Sequence, residues 1–297
     1  MTVVVLGANG MLGHKLLAHL SATVPDVVGT IRAAQPSAAL RRLAPRARLL
    51  GRVHARDHAG LLELLGHLRP TAVVNAIGVI KQRPEAVDAA LTLSVNAVLP
   101  HRLAKWCAAR GVRLIHFSTD CVFSGRAGPY APEARPDATD IYGQSKALGE
   151  VREAGCLTLR CSIIGHGLRD GPSLIDWFLS RRGGEARGYT GALYTGLPTV
   201  VMADIVARAL SAWRDLDGVW QVASEAISKH DLLALVNQRY GLGVRLSRDD
   251  AFHCDRRLDG SAFAARTGWR PPAWPELVAA MHADFAASAQ PEQRSAA

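Results

Sequence analysis

The chain has 297 residues, of which 48% are hydrophobic, with a mean hydropathy of +0.06 and a formal net charge of +9. This length allows one large core, or a core domain with a smaller lobe, and no apolar run reaches the roughly 20 residues of a membrane-spanning helix. The 30 Arg and five Lys residues are scattered without a DNA- or RNA-reading motif, so the charge either suits a nucleotide-like partner or has no functional meaning, and we expect neither nucleic acid nor membrane as a partner.

The cysteines indicate neither a disulfide framework nor a metal site. They are odd in number and contain no Cys-x-x-Cys pair. We therefore predict no metal site and expect buried free thiols at all five positions: Cys107, Cys121, Cys156, Cys161 and Cys254.

The first segment combines a strand with a glycine-rich loop. Thr2–Leu6 is a β-branched run typical of a parallel strand buried on both faces, and no secretory signal precedes it, so we expect a cytoplasmic protein. The loop that follows has the spacing G-x-x-G-x-x-G and leads into a helix with an apolar face. Such a unit offers free backbone N–H groups and a positive dipole to a phosphate. We predict a dinucleotide site formed by Gly7, Asn9, Gly10, Met11 and Leu12.

The second predicted strand, Val27–Arg32, ends without an acidic residue. An NAD site usually has a carboxylate here that binds the ribose 2′-hydroxyl, whereas an arginine can pair with the 2′-phosphate of NADP. Arg32 stands at this position. The sequence therefore favours NADPH as the cofactor and leaves NADH possible.

A fourth predicted strand, 71–78, follows a poorly marked third strand near 47–53. It ends in a turn of small residues, which lets the backbone pass beneath a bound cofactor at the carboxyl end of the strand. In the loop beyond it, Lys81 contacts either a substrate phosphate or only solvent. We predict cofactor contacts from all four residues of the turn: Asn75, Ala76, Ile77 and Gly78.

Pro100 interrupts the helix predicted from Leu91 to Leu103. Proline removes one backbone hydrogen bond and thereby frees the carbonyl of Asn96. This carbonyl either holds a water linked to Lys146, or the kink serves packing alone.

Three side chains near the centre of the chain have the chemistry of carbonyl reduction. The fifth predicted strand, 112–117, runs into Thr119, whose hydroxyl is placed to hydrogen-bond a substrate carbonyl. Tyr142 and Lys146 are four residues apart and share one face of a helix. An ammonium near a phenol lowers its pKa, and such a phenol can exchange a proton with a carbonyl oxygen. We predict Thr119, Tyr142 and Lys146 as catalytic residues.

Six motifs occur in this order: Gly7-x-x-Gly10-x-x-Gly13, Asn75-Ala76-x-Gly78, Ser118-Thr119-Asp120-x-Val122-Phe123, Pro129-Tyr130, Tyr142-Gly143-x-Ser145-Lys146 and Gly149-Glu150. Together they resemble the extended short-chain dehydrogenase/reductases, and specifically the branch of dTDP-4-dehydrorhamnose reductase. The resemblance covers the first 165 residues or so well and the remainder more loosely.

The resemblance implies NADPH-dependent reduction of the 4-keto group of a nucleotide-linked 6-deoxysugar, in polysaccharide or glycoside precursor biosynthesis. It implies that Thr119 polarises the keto oxygen and that Tyr142 donates the proton. Lys146 would lower the pKa of Tyr142 and bind the nicotinamide ribose. The nicotinamide is expected near Ile163.

Two positions depart from the family pattern. The third-strand carboxylate usual near the adenine is displaced, with His54 in its place and Asp57 further on. Sister dehydratases carry Thr-Asp-Glu, and Cys121 replaces the Glu here, which disfavours dehydration.

The predicted fold is α/β, a doubly wound parallel sheet (Rossmann) with a smaller α/β C-terminal substrate lobe. Residues 1–165 form the NADP-binding domain, and residues 199–222 rejoin it. The substrate-binding lobe is assigned to 166–198 and 223–285. Residues 286–297 are expected to be a disordered tail.

The substrate contacts are predicted from the lobe and from two loops of the main domain. The Gly- and Tyr-rich segment 189–198 is predicted to be a loop that faces the substrate. The resemblance implies that a basic residue of the lobe meets the nucleotide diphosphate of the sugar partner, with Arg256 and Arg257 as candidates. Lys81 and Asp120 are further candidates. Two-helix dimer faces are common in this fold, so a homodimer is possible.

Two other functions stay open. One is a nucleotide-sugar epimerase with tightly bound NAD, against which Arg32 argues. The other is a non-catalytic regulatory subunit with the same fold, as a methionine adenosyltransferase partner is in this branch. A pure binding module has no need to retain Thr119, Tyr142 and Lys146.

Overall fold

The structure, a computed structural model, describes residues 1–81, 88–168 and 173–289. The strands in these ranges are β1 (Thr2–Leu6), β2 (Asp26–Thr30), β3 (Arg48–Leu50), β4 (Ala72–Asn75), β5 (Arg113–Thr119), β6 (Cys156–Cys161), β7 (Ile163–Ile164), β8 (Glu185–Tyr194), β9 (Leu197–Pro198), β10 (Gly218–Gln221), β11 (Ile227–Ser228) and β12 (Arg245–Asp255). The α-helices are α1 (Gly13–Thr23), α2 (Ala38–Leu43), α3 (His58–Leu68), α4 (Ala89–Leu93), α5 (Leu99–Ala108), α6 (Ile141–Leu148), α7 (Leu174–Leu179), α8 (Thr199–Ser211), α9 (Lys229–Tyr240), α10 (Ser261–Thr267) and α11 (Trp274–Ala289). A π-helical turn (Ser94–Val98) joins α4 to α5.

Seven strands form one parallel sheet in the order β10-β6-β5-β4-β1-β2-β3. Residues 3–6 of β1 are fully buried, as expected of a strand covered on both faces. Helices cover both faces of the sheet, since Leu16 and Met202 belong to one apolar cluster and Leu61 and Leu103 to another. The predicted doubly wound α/β fold is confirmed. Strand order reverses at the β1–β4 boundary, the place where ligands bind in such sheets.

Local capping signals set the starts of two later helices. The Ser173 hydroxyl accepts a hydrogen bond from the backbone N–H of Asp176 at 3.0 Å, and Ser228 accepts one from Asp231 at 3.0 Å. Gly241 ends α9 in the left-handed conformation, with a φ of +56°. The residue types at these positions therefore account for the starts of α7 and α9 and for the end of α9.

The chain returns to the main sheet after α7. Helix α8 packs against α1, and β10 pairs with β6 as the outermost strand. Both elements therefore pack on or pair with the main domain.

The prediction of a loop over 189–198 is wrong. Most of this segment belongs to β8, the middle strand of a three-stranded sheet in the order β11-β8-β12. Glycine and tyrosine indicate turns locally, but the partner of β8 on one side is β12, about 60 residues further along the chain. Tertiary pairing overrides local propensity here.

The C-terminal helix extends further than predicted. Helix α11 continues to Ala289, so the expected disordered tail is wrong for 286–289, and 290–297 lie outside the described residues. Asp284 on this helix forms an ion pair of 2.6 Å with Lys15 on α1. Within the described ranges, no helix combines the length and apolar character needed to cross a membrane.

The cysteines are free thiols, as predicted, but they are not all buried. Cys107, Cys156 and Cys161 are buried, whereas Cys121 and Cys254 are half-buried. The part of the chain that the structure describes contains no cluster of His, Cys, Asp and Glu that could hold a metal ion.

Candidate active site

The loop between β1 and α1 is a tight turn at the carboxyl end of β1. Gly7 has a φ of +80°, and its carbonyl accepts a hydrogen bond from the N–H of Gly10 at 3.0 Å. Among the described residues, the backbone N–H groups of Met11 and Leu12 find no protein acceptor. They lie at the positive end of α1. The loop therefore fits the pyrophosphate of a dinucleotide.

The side chains of this loop differ in what they can offer a ligand. Asn9 is exposed and Met11 is half-buried. Leu12 is buried in the core, so only its backbone is available.

Gly13 is expected to be essential for the shape of the loop between β1 and α1. A Cβ at this position would overlap the carbonyl oxygen of Gly7, which is backbone and cannot move aside cheaply. We expect Gly13→Ala to displace the loop and to weaken NADPH binding at least about tenfold, which corresponds to roughly 1.4 kcal/mol. Fluorescence titration with NADPH measures the dissociation constant. Gly66→Ala is the control, because its Cβ would meet nothing within 4 Å. An unchanged NADPH affinity in Gly13→Ala would contradict the assignment.

Arg32 follows β2 and is exposed. Its guanidinium makes no hydrogen bond or ion pair with any described residue, so it is available to a 2′-phosphate. A cavity of about 520 Å³ lies nearby between the ends of β2 and β3, and His54 lines it. The Asp57 carboxylate also lines this cavity but caps α3 by accepting the N–H of Gly60 at 2.9 Å. Asp57, the acidic residue beyond β3, is thus the N-cap of α3.

Asn75 points into the sheet and shapes the turn after β4. Its side-chain amide lies 3.1 Å from Nδ1 of His116, and its Oδ1 accepts the N–H of Ile77 at 3.2 Å. Burial lowers the pKa of His116 well below its ordinary value, so this ring is neutral. Ala76 and Ile77 are half-buried and Gly78 is exposed, so these three residues present the ligand-facing surface of the turn.

The π-helical turn places Asn96 against the helix that carries Tyr142. The Asn96 side chain makes two hydrogen bonds of 2.9 Å to the backbone of Val79 and donates to the Ser145 hydroxyl at 3.1 Å. Its carbonyl faces Gly149, whose lack of a side chain permits the close approach. The water link from this carbonyl to Lys146 stays a prediction.

Thr119 and Tyr142 meet at the carboxyl end of β5. The Thr119 hydroxyl accepts the N–H of Cys121 at 3.1 Å and donates to Oδ1 of Asp120 at 3.0 Å. Thr119 also interacts with the Tyr142 phenol and favours its ionised form. The Asp140 side chain caps the helix start just before Tyr142 and fixes the direction in which α6 leaves. The structure therefore brings together the two residues predicted to face a carbonyl oxygen.

The electrostatics of Tyr142 differ from the expectation. Burial, with nearby Cys121 and Asp120, raises the pKa of Tyr142 above its ordinary value, and the interaction with Thr119 opposes this. The predicted lowering of this pKa by Lys146 is wrong for this structure, because desolvation outweighs any opposite charge. The phenol is therefore neutral and holds its proton at neutral pH.

Lys146 lies behind the phenol on the same helix. Its ammonium donates to the carbonyl of Phe117 at 2.6 Å, and burial lowers its pKa to about 8 although Cys161 and Glu150 favour the charge. Ile163, the residue expected near the nicotinamide, is half-buried on β7 next to the end of β6.

The lobe contributes two cations to this site, one predicted and one missed. Arg256, directly after β12, donates to the carbonyl of Phe123 at 2.9 Å and approaches the Cys121 sulfur at 3.6 Å. Lys229 at the start of α9 interacts electrostatically with Asp120 and Cys121. The sequence Ser-Lys-His-Asp indicates a helix cap and nothing more, so no local signal marks Lys229 as part of the site.

The other two predicted basic contacts are engaged with carboxylates. Lys81 pairs at 3.2 Å with Asp140, which lies two residues before Tyr142. Arg257 forms a two-pronged ion pair with Asp255, and none of its described contacts involves the residues around Tyr142.

A buried ion pair between Glu150 and Arg160 lies next to the site. Glu150 accepts hydrogen bonds from Arg160 at 2.7 and 2.8 Å and from the Ser118 hydroxyl at 2.7 Å. The side chains of Arg160 and Glu150 are 1% and 5% exposed. The pair therefore joins β6 and the end of α6 to the residue that precedes Thr119.

A family model described as the RmlD substrate binding domain matches residues 1–245 of the chain. A dTDP-4-keto-6-deoxy-D-glucose reductase from Streptomyces niveus is 32% identical over 147 residues, which is 49% of this chain and 45% of that protein. The methionine adenosyltransferase 2 subunit beta of Rattus norvegicus is 31% identical over 152 residues, covering 50% and 41% of the two chains.

The solved structure of a dTDP-4-dehydrorhamnose reductase from Clostridium acetobutylicum superimposes with a TM-score of 0.76 and covers 96% of this chain and all of its own. The two sequences are 16% identical, so this similarity shows a shared fold and nothing more. The chain spans about half the length of the curated relatives that it matches.

Proposed function

The chain belongs to the family of the RmlD substrate binding domain, and from this premise we propose that it is an NADPH-dependent reductase of the 4-keto group of a nucleotide-linked 6-deoxysugar. The observation that carries the proposal is the contact between Thr119 and Tyr142 at the carboxyl end of β5, with Lys146 behind them. The relative from Streptomyces niveus, named as a reductase of this kind, supports the same reaction class.

The phenol of Tyr142 acts as the acid in this proposal. An alkoxide forming at the sugar carbon is a stronger base than a phenolate, so Tyr142 can protonate it even with a raised pKa. The Thr119 hydroxyl has a single hydrogen-bond donor, which in the free protein is directed at the Asp120 carboxylate. The keto oxygen of the substrate must therefore compete with Asp120 for this hydrogen bond. Thr119 thereby holds the oxygen next to the phenol.

The residues of and around the loop between β1 and α1 fit NADPH. The N–H groups at the start of α1 would hold the pyrophosphate, Arg32 the 2′-phosphate, and Lys146 the nicotinamide ribose. When bound, NADPH supplies a hydride to the carbonyl carbon. Ala76, Ile77 and Ile163 would provide the apolar surface that keeps water from the reacting carbon.

The nucleotide diphosphate of the substrate would lie on the lobe side of the site. Arg256 is half-buried there and reaches the loop after Thr119, so it is the better of the two predicted arginines. Arg257 is neutralised by Asp255. Lys81 is paired with Asp140. These placements favour a negatively charged, nucleotide-linked sugar.

The proposal is tested by NADPH oxidation with a panel of dTDP- and UDP-linked 4-keto-6-deoxysugars. We expect the absorbance of NADPH at its nicotinamide band to fall with turnover for at least one of them, and NADH to be used less well because Arg32 has no carboxylate beside it. Absence of turnover with every sugar and both cofactors would overturn the reductase assignment.

The same samples distinguish the alternative enzyme. An epimerase that oxidises its substrate transiently retains its nicotinamide cofactor, so purified protein would contain bound NAD. We expect the purified protein to be free of tightly bound NAD and to consume NADPH in proportion to the product formed.

A further inference from the structure

Lys146 and Glu150 hold neighbouring residues of β5. The Lys146 ammonium donates to the backbone carbonyl of Phe117 at 2.6 Å, and the Glu150 carboxylate accepts the hydroxyl of Ser118 at 2.7 Å. Phe117 and Ser118 share one peptide bond, so the two side chains approach the same short piece of backbone. The next residue along β5 is Thr119. The ammonium and the carboxylate therefore lie close together, next to the residue proposed to bind the keto oxygen.

Both charges are removed from water. Lys146 is 6% exposed, and the side chain of Glu150, directly after the C-cap Gly149 of α6, is 5% exposed. The carboxylate also accepts two hydrogen bonds from Arg160. Electrostatic interactions between buried charges are screened much less than those between charges at the surface. Glu150 can therefore influence Lys146 without touching it.

The proposed reduction needs a charged Lys146. When Tyr142 gives its proton to the alkoxide of the sugar, a phenolate remains, and an ammonium nearby favours this ionised form. A neutral amine gives no such stabilisation. Burial lowers the pKa of Lys146 to about 8, so the amine is only just charged at neutral pH. A group that favours its charge therefore decides over which pH range the enzyme works.

We propose that Glu150 is a positioning residue that keeps Lys146 protonated and thereby sets the pH above which reduction slows. Glu150 touches neither substrate nor cofactor in this scheme and acts through Lys146. The inference rests on the proposed function for the reaction, but the protonation of Lys146 can be measured without turnover.

The other titratable groups that influence Lys146, or are influenced by it, stay neutral near pH 8. Burial raises the pKa of Cys161 on β6 to about 12, so its thiol has no charge when the amine titrates. Burial also raises the pKa of Tyr142 and lowers that of His116 on β5 well below its ordinary value. Glu150 is therefore the group whose charge supports the ammonium in this pH range.

The experiment follows the lysine side chains by NMR, and the chain is suited to it because it has five lysines. The full chain labelled with ¹³C at the lysine Cε is titrated without substrate or cofactor between about pH 5.5 and 10.5. The signal that is absent from Lys146→Arg belongs to Lys146. We expect a wild-type midpoint at about pH 8. In Glu150→Gln the midpoint should fall by about one pH unit, the low end of the effect of a nearby opposite charge.

A double variant separates the charge of Glu150 from that of its partner. Glu150→Gln leaves the buried Arg160 uncompensated, so part of its effect on stability and on Lys146 belongs to the guanidinium. Glu150→Gln with Arg160→Met removes both charges together, a change that buried ion pairs often tolerate. We expect the Lys146 midpoint to fall in this variant too. Ser118→Ala is the matched control, because it removes a hydrogen bond to Glu150 but not the charge, and the midpoint should stay in place.

The pH profile of turnover gives the second readout. With the keto sugar that wild type accepts, we expect kcat to fall above about pH 8, because the ammonium is lost as the pH rises through the pKa of Lys146. In the double variant this fall should begin about one pH unit lower. In Ser118→Ala any loss of turnover should be the same at every pH, as for a purely structural role.

A Lys146 midpoint in the double variant within about 0.3 pH unit of wild type would overturn the proposal, and so would an equal shift in Ser118→Ala. A wild-type midpoint near the ordinary lysine value of about 10.4 would do the same without any substitution. A lowered midpoint in the double variant without NADPH oxidation on any sugar would support the effect of Glu150 on Lys146 and remove the reductase. Wild-type turnover with an unmoved midpoint would leave the reductase and remove the role of Glu150.

Discussion

Tyr142→Phe is expected to reduce NADPH oxidation by about 10²- to 10⁴-fold, the range found when a positioned proton donor is removed. The phenyl ring keeps the volume of the side chain, and the loss is confined to the hydroxyl that meets Thr119. We therefore expect the dissociation constant for NADPH to change less than about threefold. Steady-state turnover with the keto sugar that wild type accepts measures the first quantity, and fluorescence titration the second.

The control for this substitution is Tyr189→Phe. Tyr189 is 44% exposed and packs on Phe252 at the surface of the lobe sheet, so loss of its hydroxyl should leave turnover unchanged. Undiminished turnover in Tyr142→Phe would remove the proton-donor role. A large fall in both variants would point to a general loss of structure.

The placement of Thr119, Tyr142 and Lys146, which we propose as catalytic residues, could be predicted from the sequence because it depends on short-range spacing. Tyr142 and Lys146 share one helix face, and Thr119 ends a strand whose last six residues are buried. The pKa of Tyr142 could not be predicted in the same way, since it depends on how much chain covers the phenol. Burial is a property of the whole fold, and here it reverses the direction expected from Lys146 alone.

The substrate side of the site was harder to predict because distant segments build it. Strands β8 and β12 pair across about 60 residues, and Lys229 reaches the Thr119 loop only because α9 packs on β8. Arg256 and Arg257 are neighbours in sequence with equal claims, yet beyond the end of β12 one contacts Cys121 and the other Asp255. Cys121 lies 135 residues before Arg256 in the chain, so no local spacing rule selects this contact.

The pair of Glu150 and Arg160 is the second place where a single substitution should have a large effect. Two charges enclosed in the protein stabilise each other only while both are present, because each has lost its hydration. Arg160 also lies 5.1 Å from the Phe123 ring, and one of its terminal nitrogens has no partner among the described residues. The guanidinium therefore depends on Glu150 for its compensation.

Glu150→Ala is expected to lower the free energy of unfolding by about 3–5 kcal/mol, the usual cost of leaving one member of a buried pair uncompensated. The substitution also removes the acceptor of the Ser118 hydroxyl, next to Thr119, so turnover should fall together with stability. Urea denaturation followed by circular dichroism measures the free energy. Asp204→Ala is the matched control, because its pair with Arg208 on α8 is exposed and should cost no more than about 1 kcal/mol. If both variants lost the same free energy of unfolding, burial would not be the reason why the ion pair of Glu150 and Arg160 is important for stability.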